Sequence, residues 1–348
     1  MQANNNMEYR YLGNSGLRVS AISFGFADAR DQDLLNQLLQ RAIELGINFF
    51  DCAETYGNPR GSVEKLFGNA LKTLKVDRSD LVITTKIFWG GDAPQVNRRG
   101  LSRKHLIEGT KASLKRMQVN HVDVLLAHRY DPNTPMEEIC RAFDWLVRHG
   151  YTHYWGVSEW PAQKIEQAIR LCDQLRLHRP ITEQPEYSML VRERFEKEYY
   201  FLFRDYKFGS TIWSPLAGGV LTGKYNTEIP EGSRVNTSSL AFLVDKFLKP
   251  ENIEGTRKIT LALEKLAQEL GTTSAKLALA WTLRNKDVST AIIGARRISQ
   301  LEENVKAIED IKKITPEVEE QIEKILNNQP DLEFDARMAK KVPSRRHA

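Results

Sequence analysis

The feature that most constrains this chain is a regular alternation of short apolar runs with longer amphipathic stretches. Apolar runs fall at 48–51, 81–85, 122–127, 154–157, 181–183, 211–213 and 288–293. Each has the length of a strand, and continuous apolarity suits strands covered on both faces. Between them, apolar residues recur at helical spacing. Leu34, Leu35, Leu38, Leu39, Ala42 and Ile43 form one such face, closed by Gly46. Val63, Leu66, Phe67, Ala70, Leu71 and Leu74 form the next. Strands alternating with helices imply parallel pairing through crossovers.

Local punctuation supports this reading. Ser102 suits a helix N-cap, and Thr134-Pro135-Met136-Glu137 predicts a helix capped by Thr134 and running to about His149. Pro161 opens a helix, Ser299 is expected to cap one, and Thr315-Pro316 starts another beyond the last strand. Further helices are expected at about 256–270 and at 274–284. At the start, the runs 9–12 and 19–24 flank Gly13-Asn14-Ser15-Gly16, which predicts a hairpin. The polar, Gly-rich stretch from 216 to about 255 reads as an extended functional loop.

Two parallel architectures compete, an open doubly wound sheet and a closed barrel. A dinucleotide-binding open sheet carries G-x-G-x-x-G after its first strand. Here that place holds Ser23-Phe24-Gly25-Phe26-Ala27. Polar residues also end nearly every strand: Asp51, Lys86, His128, Ser158, Gln184 and Ser214. A barrel gathers such ends at one face. The expected fold is therefore an α/β (β/α)8 barrel with an N-terminal β-hairpin closing the opposite end and extra C-terminal helices. One domain is expected over 7–330, followed by a basic, flexible tail at 331–348.

Composition narrows the function classes. The 348 residues include 50 basic and 45 acidic side chains, a net charge of +5 mixed along the chain, which does not indicate a nucleic-acid groove. No apolar run approaches the roughly 20 residues of a membrane span. The first six residues are polar and lack a signal-peptide core. Cys52, Cys140 and Cys172 stand far apart, with neither metal spacing nor a disulfide framework. A reducing, cytoplasmic setting is expected.

Asp51, Tyr56, Lys86 and His128 are the candidates for chemistry at the barrel mouth. A free phenol keeps its proton up to a pKa of about 10. An adjacent ammonium favours phenolate, so Lys86 is expected to lower that value, with Asp51 keeping Lys86 charged. His128 is expected to orient a substrate oxygen. Together these groups suit protonation of a carbonyl oxygen as hydride reaches its carbon, and such acid catalysis typically contributes ~10²–10⁴ in rate. Taken singly, each residue also has a structural reading, as a turn, packing, strand-end or core residue. Spacing alone does not name the reaction.

At these residues the sequence resembles the aldo-keto reductases, in particular the branch containing β-subunits of voltage-gated potassium channels and related bacterial and plant reductases. The resemblance is carried by 46–56, 82–91, 100–105, 131–138, 154–158, 213–219 and 223–225, and extends from about Tyr9 to Leu326. It implies a (β/α)8 barrel that binds NADPH and reduces aldehydes or ketones, with Tyr56 as the acid of the tetrad. It assigns Ser158 and Gln184 to the nicotinamide carboxamide and Trp213 to stacking on the nicotinamide. Ser214, Pro215, Leu216, Gly218 and Lys224 fall in the segment along the pyrophosphate. Gly294, Arg296, Arg297, Gln300, Glu303 and Asn304 fall in the adenosine segment, where the arginines and a helix start suit the 2′-phosphate of NADPH. Trp89 and Phe26 are expected at the substrate pocket. Channel β-subunits commonly have asparagine where this chain has His128, and histidine implies turnover. The resemblance also admits a regulatory channel subunit sensing redox state through bound cofactor, a homo-tetramer, and a structural component of a larger assembly. With only a few residues before the hairpin, a channel-blocking peptide is not expected.

Overall fold

The computed structural model describes residues 6–27, 29–91, 95–229 and 242–332. The tail expected to be flexible lies almost wholly outside the described residues.

The chain opens with an antiparallel hairpin, β1 (Tyr9–Tyr11) and β2 (Arg18–Ser20), paired with Tyr9 opposite Ser20. The expected single run 19–24 is divided. Arg18–Ser20 belongs to the hairpin, whereas β3 (Ile22–Gly25) is the first barrel strand. Only Ala21 separates the two pieces, so periodicity does not expose the break.

Parallel strands then alternate with helices: α1 (Gln32–Glu44), β4 (Phe49–Asp51), α2 (Ser62–Leu74), β5 (Val82–Ile87), α3 (Arg103–Met117), β6 (Val122–Ala127), α4 (Met136–Arg148), β7 (Thr152–Val157), α5 (Ala162–Leu175), β8 (Thr182–Glu183), α6 (Tyr200–Tyr206) and β9 (Gly209–Trp213). After a short 3-10 segment, Ala217–Thr222, come α7 (Phe242–Leu248), α8 (Ile253–Glu269), α9 (Ser274–Arg284), β10 (Thr290–Ile293) and α10 (Ile298–Val305). Beyond the short helix α11 (Ala307–Asp310), the helix α12 (Pro316–Leu326) packs outside the barrel, with Ile322 and Leu326 buried. β10 pairs with both β9 and β3, so the sheet closes on itself in the order β10-β3-β4-β5-β6-β7-β8-β9. This is the (β/α)8 barrel.

Leu12 and Val19 of the hairpin pack with Phe49, Val82, Val124, Leu126 and Ile292 as an inner plug. The hairpin turn lies against the start of β9, where a side chain on Gly13 (φ +58°) would meet the Gly209 nitrogen at 2.3 Å. The N-terminal end of the barrel is thus stopped, and the C-terminal end is left for chemistry. The larger core fills the space between strands and helices, with Trp155, Trp160, Phe143 and Phe67 among its buried side chains.

Several helix starts differ from expectation. Thr134 does not cap α4: its hydroxyl donates to Asp131 Oδ2 at 2.7 Å, and Pro135 occupies the cap position. Ser299 lies inside α10, whose cap position is Arg297. Ser102 and Thr315 do cap, accepting from His105 N (3.2 Å) and Val318 N (3.4 Å). The segment after β9 is not simply a loop, since it contains the Ala217–Thr222 turns and α7. Residues 230–241 lie outside the described residues.

Candidate active site

β4 and β5 pair with Asp51 opposite Thr84, bringing their carboxyl ends together. Lys86, two residues on, points into the barrel and is fully buried. Its Nζ donates to Asp51 Oδ2 (2.5 Å), to the Cys52 carbonyl (2.8 Å) and to Tyr56 Oη (3.1 Å). Three acceptors around one ammonium satisfy its three donors. Asp51 Oδ1 accepts in turn from Thr84 Oγ1 (2.7 Å) and Gln184 Nε2 (3.0 Å). The carboxylate is thus fixed from both sides, and the lysine is aimed at the phenol.

Burial pulls the Lys86 ammonium down, but Asp51 and Tyr56 outweigh it and leave the group above its ordinary value. For Tyr56 the balance differs from the sequence expectation. Burial pushes the phenol up more than Lys86 draws it down, so the net shift is upward. The phenol therefore holds its proton at neutral pH. The role of Lys86 is to stabilise the phenolate left after proton transfer, because its cation lies 3.1 Å from that oxygen.

His128 follows β6, its backbone nitrogen bonded to the Ile87 carbonyl at 3.1 Å. Its ring stands edge-on to Tyr56, with centroids 5.9 Å apart. Burial and the nearby Lys86 and Arg129 cations hold its pKa well below the ordinary histidine value, so the imidazole is neutral. Its Nδ1 is buried without a hydrogen-bond partner among the described residues. The tetrad expected from sequence is therefore one cluster at the mouth, with both ring side chains beside the ammonium.

The remaining candidates ring this cluster. Ser158 and Gln184 are buried at the ends of β7 and β8, joined by Ser158 Oγ donating to the Gln184 carbonyl at 2.9 Å. Trp213 is partly exposed at the end of β9, and its Nε1 donates to Glu159 Oε1 at 3.0 Å. After it the backbone turns repeatedly left-handed, at Ser214 (φ 57°), Ala217 (48°), Gly218 (67°) and Gly219 (101°). These turns fold their N–H groups back on the segment itself, Ala217 N onto the Ser214 carbonyl and Gly219 N onto the Leu216 carbonyl, both at 2.8 Å. Gly218 N is held by Ser214 Oγ at 2.9 Å, Pro215 is buried and Leu216 partly buried. Lys224 is exposed on the same segment, with its Nζ 2.7 Å from where a side chain on Gly219 would begin.

Gly294 and Arg296 follow the adjacent strand β10 and are exposed, as is Arg297. Gln300 Oε1 accepts from Arg296 N at 3.0 Å. Glu303 is turned to Thr273, whose hydroxyl donates to it at 2.8 Å, and Asn304 is buried. The left-handed turns carrying Lys224 and the arginine pair thus leave neighbouring strands of the closed sheet.

The two pocket candidates separate. Trp89 is partly exposed beside Phe88, with ring centroids 4.8 Å apart. Phe26 is only 2% exposed and packs on Phe24, Phe50 and Phe67, so its ring belongs to the core rather than to a pocket wall.

Sequence reasoning missed a set of buried acids behind the mouth. Glu54 Oε1 accepts from Phe88 N (2.7 Å) and Gly90 N (2.8 Å), anchoring the loop that carries Trp89. Glu159, itself at φ 58°, accepts from Trp213 Nε1 and from Glu186 N and pairs with Arg194. Glu183 lies beneath it, its carboxyl held well above the usual range by burial and by Glu159. Each of these glutamates has a polar residue on at least one side, and nothing in the sequence marks it as turned inward.

A closed barrel with this cluster at its C-terminal mouth defines the class to which the chain belongs, the aldo/keto reductase family, whose model matches residues 21–327. The chain is an oxidoreductase by that membership. Among curated relatives it is similar to a putative voltage-gated potassium channel subunit beta of Schizosaccharomyces pombe, 46% identical over 333 residues that cover 93% of this chain and 95% of that protein. It is also similar to probable voltage-gated potassium channel subunits beta of Arabidopsis thaliana (46%) and Oryza sativa subsp. japonica (44%), each over 329 residues covering 93% of this chain and 98% of the relative.

Proposed function

We propose that this chain is an NADPH-dependent reductase of aldehydes and ketones, with Tyr56 as general acid. The observation that carries this reading is the three-way donation from Lys86 Nζ to Asp51, the Cys52 carbonyl and Tyr56. A merely structural lysine has no need of a phenol as its third acceptor. NADPH, when bound, supplies the hydride. The residues fit such a cofactor: a partly exposed Trp213 for a flat ring, the exposed Lys224 for a diphosphate, and the exposed Arg296 and Arg297 for a further phosphate. Ser158 and Gln184 supply polar groups for a carboxamide, and Gln300, Glu303 and Asn304 lie on the helix that follows the arginines.

On this reading His128, being neutral, donates a hydrogen bond that orients the substrate carbonyl. Tyr56 gives its proton to the carbonyl oxygen, and Lys86 neutralises the phenolate that remains. Asp51 keeps Lys86 protonated and pointed. Trp89 forms part of the substrate wall.

The names of the relatives support a second reading, a subunit of a voltage-gated potassium channel; on that reading bound cofactor serves as a redox sensor in the cytoplasm, and the chain docks alone or as a homo-tetramer. No described helix is long and apolar enough to cross a membrane, so contact with a channel would be by docking. One experiment separates the readings. Purified protein is given NADPH and a panel of nitrobenzaldehydes, and cofactor oxidation is followed by absorbance. Turnover that disappears in Tyr56→Phe while NADPH binding persists is the expected result. Tight cofactor retention without turnover favours the sensor, and unchanged turnover in Tyr56→Phe removes that residue from the mechanism.

A further inference from the structure

At the plugged end of the barrel, away from the tetrad, three metal-ligating side chains meet on the outer face of the sheet. His121 immediately precedes β6, Asp123 is the second residue of β6, and His153 is the second residue of β7. The strands pair with Val122 opposite Thr152 and Val124 opposite Tyr154, which sets Asp123 beside His153. Side chains alternate along a strand, so His121 shares the face of Asp123. Val124 and Leu126 belong to the inner plug, and the three polar side chains therefore face the other way. One ligand atom from each lies within 4.8 Å of the others. The two imidazole rings are 4.5 Å apart between centroids.

Asp123 is already held in position. Its Oδ2 accepts from Arg78 Nη2 and from Ile83 N, both at 2.7 Å. Arg78 is itself anchored on the Leu81 carbonyl (2.9 Å) and the His121 carbonyl (3.2 Å). Those bonds occupy one carboxylate oxygen. Among the described residues, Oδ1 and both imidazoles make no hydrogen bond, which leaves three donor atoms for one ion.

We propose that His121, Asp123 and His153 bind a divalent transition-metal ion of the zinc class and staple β6 to β7 at the base of the barrel. Two imidazoles and one carboxylate suit zinc, copper or nickel, whereas magnesium and calcium prefer oxygen alone. Drawing the ligand atoms to metal-bond distance asks for rotation of His153, which is exposed, and of His121, which is half-buried. Arg78 acts as the outer support that fixes the carboxylate. Its charge opposes the ion and sets the affinity below that of a closed four-ligand site. Residues at this end of such a barrel bear on stability rather than on chemistry, and the ion's role is accordingly structural.

The test uses untagged full-length protein freed of metal with EDTA. Thermal unfolding with and without zinc chloride is expected to show a rise of roughly 2–4 °C. Calorimetric titration is expected to show saturation at one ion per chain. Cobalt(II) in place of zinc should give the visible absorption of a low-symmetry nitrogen–oxygen site. The paired substitution of the half-buried His121→Ala and the exposed His153→Ala should abolish all three signals, and His153→Ala alone should weaken binding at least about tenfold. Magnesium should give none of them. Absence of saturable binding, or unchanged zinc affinity in the double variant, overturns the proposal. The tetrad is untouched by these substitutions, so the outcome does not depend on whether the chain reduces carbonyls.

Discussion

Lys86 is a cation with no access to solvent, and that determines how its neighbours behave. Removing it strands Asp51, a carboxylate whose side chain is only 5% exposed. Lys86→Met is therefore expected to cost about 3–5 kcal/mol in urea unfolding, as breaking a buried pair does, and to abolish turnover. Pairing it with Asp51→Asn should restore much of the stability and none of the activity. The phenol makes a second prediction, on pH. Tyr56 must be protonated to act as acid, and burial has moved it above its ordinary value of 10.0 despite Lys86. His128 stays neutral across the physiological range because its value has moved down. The kcat/KM for reduction should thus be flat from about pH 7 to pH 9 and fall only above the ordinary tyrosine range. A decline centred near neutrality would show that another group donates the proton. Three members of the tetrad were legible because Asp51 and Lys86 stand at the carboxyl ends of β4 and β5 and His128 directly follows β6, whereas Tyr56, in the loop beyond β4, was legible only with the motif around it. The direction of the Tyr56 shift was not, because it depends on how deep the ring lies. Glu54, Glu159 and Glu183 were not legible either, since a buried acid is identified only by the donors that fold around it.

At the scale of elements, the hairpin is the part most exposed to a single change. Gly13 has φ +58° and its missing side chain is replaced by the backbone of Gly209 and the Ile181 carbonyl. Gly13→Ala should displace Leu12 from the inner plug and lower stability by about 2–5 kcal/mol, comparable to deleting a large core side chain. Gly16→Ala in the same turn meets nothing within 4 Å and serves as the control in thermal unfolding. The alternation of strand and helix could be read directly, because buried parallel strands have apolar runs that helices interrupt. Helix starts could be read only where the capping side chain had no stronger partner. Ser102 and Thr315 were free to cap, whereas the Thr134 hydroxyl is taken by Asp131. The helical stretch from Arg194 to Tyr206 mixes charged and aromatic residues without a clean period, and its existence rests on packing, with Phe195 and Leu202 buried.

For the molecule as a whole, closure of the sheet makes cofactor binding and folding one equilibrium. A ligand that binds only the folded barrel at one hundred times its Kd adds about 2.7 kcal/mol of stability. NADPH is expected to raise the unfolding midpoint more than NADH at equal concentration. Arg297→Ala should narrow that difference by lowering the NADPH effect alone, and an equal loss for both, by fluorescence titration or thermal unfolding, would remove Arg297 from phosphate recognition. The stopped base of the barrel has a kinetic corollary. With Leu12 and Val19 filling the base, the cofactor and substrate of the proposed reaction would both come to the tetrad from the mouth. Two molecules that must meet at Tyr56 then have to queue: the one seated deeper enters first and departs last. On the proposed reading, turnover through such a cul-de-sac is expected to follow a compulsory order, which product-inhibition patterns would check.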